Sequence, residues 1–102
     1  MTSPLASPIT LPNGSVLPNR LGKSAMTEGL ADKQDLPTPA LMQLYKTWSQ
    51  GGTGLHITGN VMVDKRYLER AGNVVLEDNK NLALFRDWAK QGTIAGNSLW
   101  VQ

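Results

Sequence analysis

The sequence contains no cysteine, one histidine and one phenylalanine. Without cysteine there are no disulfides, no thiolate metal sites and no cysteine nucleophile, and a reducing compartment suits such a chain. A single histidine, His56, with no second histidine or carboxylate at ligand spacing, gives no metal site. No apolar run approaches the ~20 residues that a membrane helix needs. The opening Met1-Thr2-Ser3-Pro4 has neither the basic nor the apolar region of a signal peptide, so the expected location is cytoplasmic. Runs of like charge are missing too. Ten Lys and Arg against eight Asp and Glu leave a net charge of +2. The charges are dispersed and give no footprint for nucleic acid or an anionic membrane.

What is present is an ordinary globular composition. Of 102 residues, 40% are hydrophobic and 18% charged, which suits one small domain or part of a larger one. Residues 1–7 are small, polar and Pro-containing and read as a flexible terminus. In 8–18, Asn13-Gly14 lies between short apolar stretches with prolines outside, predicting a short isolated hairpin. A weak first strand follows near 20–26, then a loop over 28–37. Thr38-Pro39 predicts a helix start, with Thr as cap and Pro at the first helical position. Leu41, Leu44, Tyr45 and Trp48 then mark one face of a helix over 39–50, which Gly51-Gly52 stops. A second strand is expected near 54–59, a long loop from Gly59 to Leu76, a second helix near 79–91 capped by Asp78, and a third strand over 98–102. Strands alternating with helices predict a parallel sheet with right-handed crossovers. A last strand without a covering helix suggests that more of the protein belongs beyond it.

Several features that resemble sites read better as structure. The glycine run Gly51 to Gly59 follows a helix and precedes a strand, the reverse of a phosphate loop. It is expected to be a helix cap and a tight turn. Glu77-Asp78 lacks the glycine and terminal Glu of a calcium loop. His56 has no evident orienting partner and is expected to be a packed, hydrogen-bonded structural histidine. Tyr45, Trp48, Phe85 and Trp88 are expected in the core.

The strand ends are different, because parallel α/β folds bind ligands at the carboxyl ends of their strands. Those ends are Ala25-Met26-Thr27, Thr58-Gly59-Asn60 and Val101-Gln102. The stretch Asn19-Arg20-Leu21-Gly22-Lys23-Ser24-Ala25-Met26-Thr27 resembles the first barrel strand of the old yellow enzymes, the NADH:flavin oxidoreductase family of FMN-dependent ene-reductases. Gly54 to Val63 resembles their second strand and its loop, and Trp100-Val101-Gln102 resembles their third. Pro8 to Pro18 is similar to their barrel-closing hairpin.

The fold this resemblance implies is α/β: the N-terminal portion of a TIM (β/α)8 barrel with an N-terminal β-hairpin, truncated, over residues 8–102. The implied activity is hydride transfer from NAD(P)H through FMN to an activated alkene or similar small-molecule acceptor. The residues implied for FMN are Ala25 and Met26 beside the ring, Thr27 toward the flavin O4, Gln102 at the pyrimidine edge, and Asn60 or, one place earlier, Gly59. The chain departs from the family in having Ala25 where Pro is common and no Tyr after Thr27. The family's substrate-gripping pair, proton donor and phosphate site belong to later strands, so no catalytic residue is expected within these 102 residues. A second expectation is therefore a non-catalytic partial barrel with an associating or structural role.

Overall fold

The computed structural model describes residues 3–102. Where the sequence reads as a flexible terminus, Pro4–Ala6 form a single 3-10 turn capped by Ser3. Its Leu5 carbonyl accepts from Arg20 N at 2.9 Å, tying it to the body. Met1 and Thr2, the rest of that expectation, lie outside the described residues.

The expected hairpin pairs β1 (Ile9–Thr10) with β2 (Val16–Leu17) in antiparallel register. Of Asn13-Gly14, only Gly14 takes a positive φ, 89°. The Asn13 side chain instead accepts from Ser15 N at 3.0 Å. The connection is thus a turn ending on a left-handed glycine rather than a two-residue mirror-image turn.

The body is a three-stranded parallel sheet in the order β3 (Gly22–Lys23), β4 (Leu55–Ile57), β7 (Ser98–Trp100). Helix α1 (Pro39–Gln50) follows β3 and α2 (Leu82–Gly92) precedes β7. This is the expected β–α–β–α–β order. In α1 the Thr38 side chain accepts from Leu41 N at 3.2 Å and Pro39 opens the helix. Gly52, just past its end, has a φ of 98°, a conformation that favours glycine.

Lys23, His56 and Leu99 occupy one register row. The Lys23 ammonium lies 4.4 Å from the Trp48 ring centre, and Leu99 packs on the core, so this row faces the helices. The core centres on Leu41, Tyr45, Val74 and Trp88. The Tyr45 ring meets Trp48 and Trp88 edge-to-face, with centres 5.0 and 5.4 Å apart. Such pairs add about 0.5–1.5 kcal/mol beyond area burial. At Gly92 a Cβ would come within 2.6 Å of Leu99, so that glycine lets α2 approach β7 closely.

Three expectations need correction. The stretch from Gly59 to Leu76 is not all loop: β5 (Val61–Met62) and β6 (Val74–Val75) form a small parallel pair. Two residues per strand are too few to show a period of two in sequence. Asp78 does not cap α2, which starts four residues later. Its carboxylate accepts from Lys80 N at 3.0 Å, within a turn before the helix. His56 is buried, at 1% exposure, but neither ring nitrogen reaches a hydrogen-bond partner. No helix among the described residues is long and apolar enough to cross a membrane.

Candidate functional site

The carboxyl ends of β3, β4 and β7 lie side by side because the strands are parallel and in register. From β3 the chain runs through Ser24, Ala25 and Met26 to Thr27. From β4 it runs through Thr58 and Gly59 to Asn60. These two extensions meet: Asn60 Nδ2 donates to Thr27 Oγ1 at 3.3 Å. The third extension joins through its backbone. Gln102 N donates to Thr58 Oγ1 at 3.1 Å, and Gln102 O accepts from Val61 N at 3.0 Å. Met26 is half-exposed, and its carbonyl lies 2.4 Å from where a Cβ on Gly59 would sit. Four of the expected residues, Met26, Thr27, Asn60 and Gln102, are therefore tied to one rim. Ala25 lies on the same segment, half-buried, one place before Met26.

The sequence did not single out what holds this rim. Glu28, the residue after Thr27, turns its carboxylate inward. Its Oε2 accepts from the Tyr45 hydroxyl and, at 3.1 Å, from Gly59 N. Gly59 N also lies 3.2 Å from the Tyr45 oxygen. Burial, and then the neighbouring Glu28, push the Tyr45 hydroxyl pKa well above the ordinary phenol value, so it stays a donor. A cap over the rim comes from the following loops. Asn60 Nδ2 also donates to Glu69 at 3.2 Å, and Ala31 N donates to Gly72 O at 3.0 Å. The hydrogen bond from Arg70 keeps the Glu69 carboxyl below its usual range. An acidic residue following the strand-end motif, with a tyrosine on the apolar helix stripe, was the only sequence signal for this arrangement.

No family model matches the chain. Among curated proteins, it is 42% identical over 99 residues to the NADH-dependent flavin oxidoreductase iliE of Hypocrea jecorina, covering 93% of this chain and 25% of the relative. It is 36% identical over 89 residues to the NADH-dependent flavin oxidoreductase iccE of Talaromyces variabilis, covering 83% of this chain and 22% of that protein. The chain thus spans about a quarter of the length of the curated relatives it matches. Its fold superposes on the old yellow enzyme homologue from Zymomonas mobilis with a TM-score of 0.83, at 18% identity, covering 98% of this chain and 27% of that one. For the old yellow enzyme from Pichia sp. the TM-score is 0.84 at 16% identity, covering 97% and 25%.

These superpositions define the architecture as part of an old-yellow-enzyme-type TIM barrel. Over most of its length the chain is thus similar to part of NADH-dependent flavin oxidoreductases in sequence, and to part of the old yellow enzyme family in fold. Enzymes of this family use FMN, with NAD(P)H as reductant. The donors on the rim suit one edge of such a ring. Thr27 Oγ1 accepts from Asn60, which leaves its own O–H free to donate. The Gln102 side-chain amide, which can both donate and accept, has no hydrogen-bond partner among the described residues.

Proposed function

We propose that this chain supplies the first three barrel strands of an FMN-dependent oxidoreductase, and that Ala25, Met26, Thr27, Asn60 and Gln102 form one edge of its flavin site. The observation that carries this is the meeting of Thr27, Asn60 and Gln102 at one rim of a barrel-type sheet. FMN, when bound, would accept a hydride from NADH or NADPH and pass it to an activated alkene or similar acceptor. The chain's own residues would hold and tune it. A hydroxyl donor at Thr27 would stabilise negative charge developing at the ring's O4. The amide of Gln102 would match the alternating donors and acceptors of the pyrimidine edge. The absence of cysteine suits a cytoplasmic setting.

The 102-residue chain alone is expected to be catalytically inactive. Two or three neutral hydrogen bonds contribute about 0.5–1.5 kcal/mol each, while binding costs on the order of several kcal/mol in lost freedom. Affinity for FMN should therefore be on the order of millimolar or weaker. Adding FMN to the isotopically labelled chain should shift the NMR signals of Thr27, Asn60 and Gln102 first, and desalting should leave the protein colourless. Shifts confined to another part of the surface would refute the site. A yellow, stoichiometric monomer that oxidises NAD(P)H would refute the inactivity.

A second reading, a partial barrel that associates, also has an observation behind it. Trp100 and Val101 on edge strand β7 and its extension are 48% and 58% exposed. Beside them runs a groove of about 320 Å³ lined by Leu76, Phe85, Trp88, Leu99 and Val101. Uncovered edges and apolar patches of this kind favour association.

A further inference from the structure

We propose that Glu28 is a positioning residue for the flavin edge: held by the Tyr45 hydroxyl and the Gly59 amide, it locks the end of the first barrel strand over the end of the second. In doing so it fixes the Thr27 hydroxyl and the Asn60 amide in register with FMN. This rests on the flavin reading above and adds the group that sets the geometry.

Two adjacent links join the strand ends, Thr27 to Asn60 and Glu28 to Gly59. They differ in strength. The first is a neutral bond of 3.3 Å between exposed or half-buried side chains. The second uses a carboxylate facing two donors, and charge-assisted hydrogen bonds are about twice as strong as neutral ones. The stronger link sets the position and the weaker one follows it. Gly59 is built for the clamp. A Cβ there would lie 2.4 Å from both Glu28 Oε1 and Met26 O, so the carboxylate occupies the space any other side chain would need.

The other anchor is rigid. Tyr45 stands edge-on to both Trp48 and Trp88 in the core. Side chains on a helix lean toward its amino end. Helix α1 starts on the rim side of the sheet, so this lean carries the Tyr45 hydroxyl up to the strand ends. The clamp therefore connects the buried aromatic core to the two residues proposed to meet FMN.

The test compares E28A, E28Q and Y45F in the labelled 102-residue chain, reading amide exchange at Gly59 and the FMN-induced shifts at Thr27, Asn60 and Gln102. In E28A, Gly59 exchange should rise about tenfold, the cost of a lost charge-assisted bond. The FMN shifts at Thr27 and Asn60 should fall away while those at Gln102 remain. E28Q, whose amide oxygen can still accept from both donors, should restore Gly59 protection and the FMN response to within about threefold. Y45F, which keeps the ring packing and removes one donor, should fall between them. Unchanged Gly59 exchange and rim shifts in E28A would overturn the proposal. So would a uniform rise in exchange across the whole chain, which marks general destabilisation. If the unsubstituted chain shows no rim response to FMN, the flavin reading falls and the positioning role with it. Gly59 exchange would then still show whether the clamp exists.

Discussion

At the amino end of the sheet, asparagine side chains are committed to the protein's own backbone and to one buried hydroxyl. Asn19 Oδ1 accepts from Leu21 N at 3.0 Å and Gly54 N at 2.8 Å, while its Nδ2 donates to Gly52 O at 2.6 Å. Asn97 Nδ2 donates to Gly92 O and Ser98 O, and its Oδ1 accepts from Ser49 Oγ. At the carboxyl end the same residue types are looser. Asn60 links two exposed side chains, and the Gln102 amide has no partner among the described residues. On the function proposed above, the difference separates polar groups that close the fold from polar groups left for a ligand. It follows the division of labour in parallel barrels, where the amino face supports stability and the carboxyl face carries function.

The largest effect should come from Asn97→Ala at the amino end. It would leave two carbonyls and the buried Ser49 hydroxyl without their partner, costing about 3 kcal/mol. Asn19→Ala should cost about 2 kcal/mol by the same mechanism. Urea unfolding midpoints check both, and a loss under about 0.5 kcal/mol in either would break the contrast.

Between the two ends lies His56, whose pKa is lowered first by burial and then by the Lys23 charge. A lowered folded-state value means that protonation favours the unfolded chain. The stability linked to His56 is complete above its ordinary value of 6.5 and declines as pH falls from there toward the depressed folded value. Unfolding midpoints measured across that range should drop on the acid side. His56→Gln should flatten that drop, and an unchanged slope would remove His56 as its source.

The smallest stability effects should come from the rim. Thr27→Ala and Gln102→Ala are expected to change stability by less than about 0.5 kcal/mol, while abolishing the local NMR response to FMN. If either destabilises as much as Asn19→Ala, the carboxyl end is as structural as the amino end.

Much of the framework was legible from local chemistry. Thr38-Pro39 and Gly51-Gly52 mark where α1 starts and stops, and their signals lie within a few residues of their effects. The strand ends were legible as a candidate site because parallel connectivity puts them on one rim. Long-range polar partners were not. Asn19 reaches Gly54 across 35 positions and Ser49 reaches Asn97 across 48, with no pattern linking them. Asp78 looked like a helix cap because an acid before an apolar stripe satisfies the rule. The turn at Lys80 took its carboxylate first. Tyr45 was recognised as core from its spacing, but spacing carries no information on where its hydroxyl ends. Glu28 looked like a loop residue for the same reason.

Tyr45 couples two parts of the molecule. One side chain contributes its ring to the packing of two helices and its oxygen to the strand ends. A change there alters core packing and the link between the strand ends together. Phenylalanine keeps the core and loosens the rim; any small residue loses both. Thr27 and Gln102 are free of this double duty.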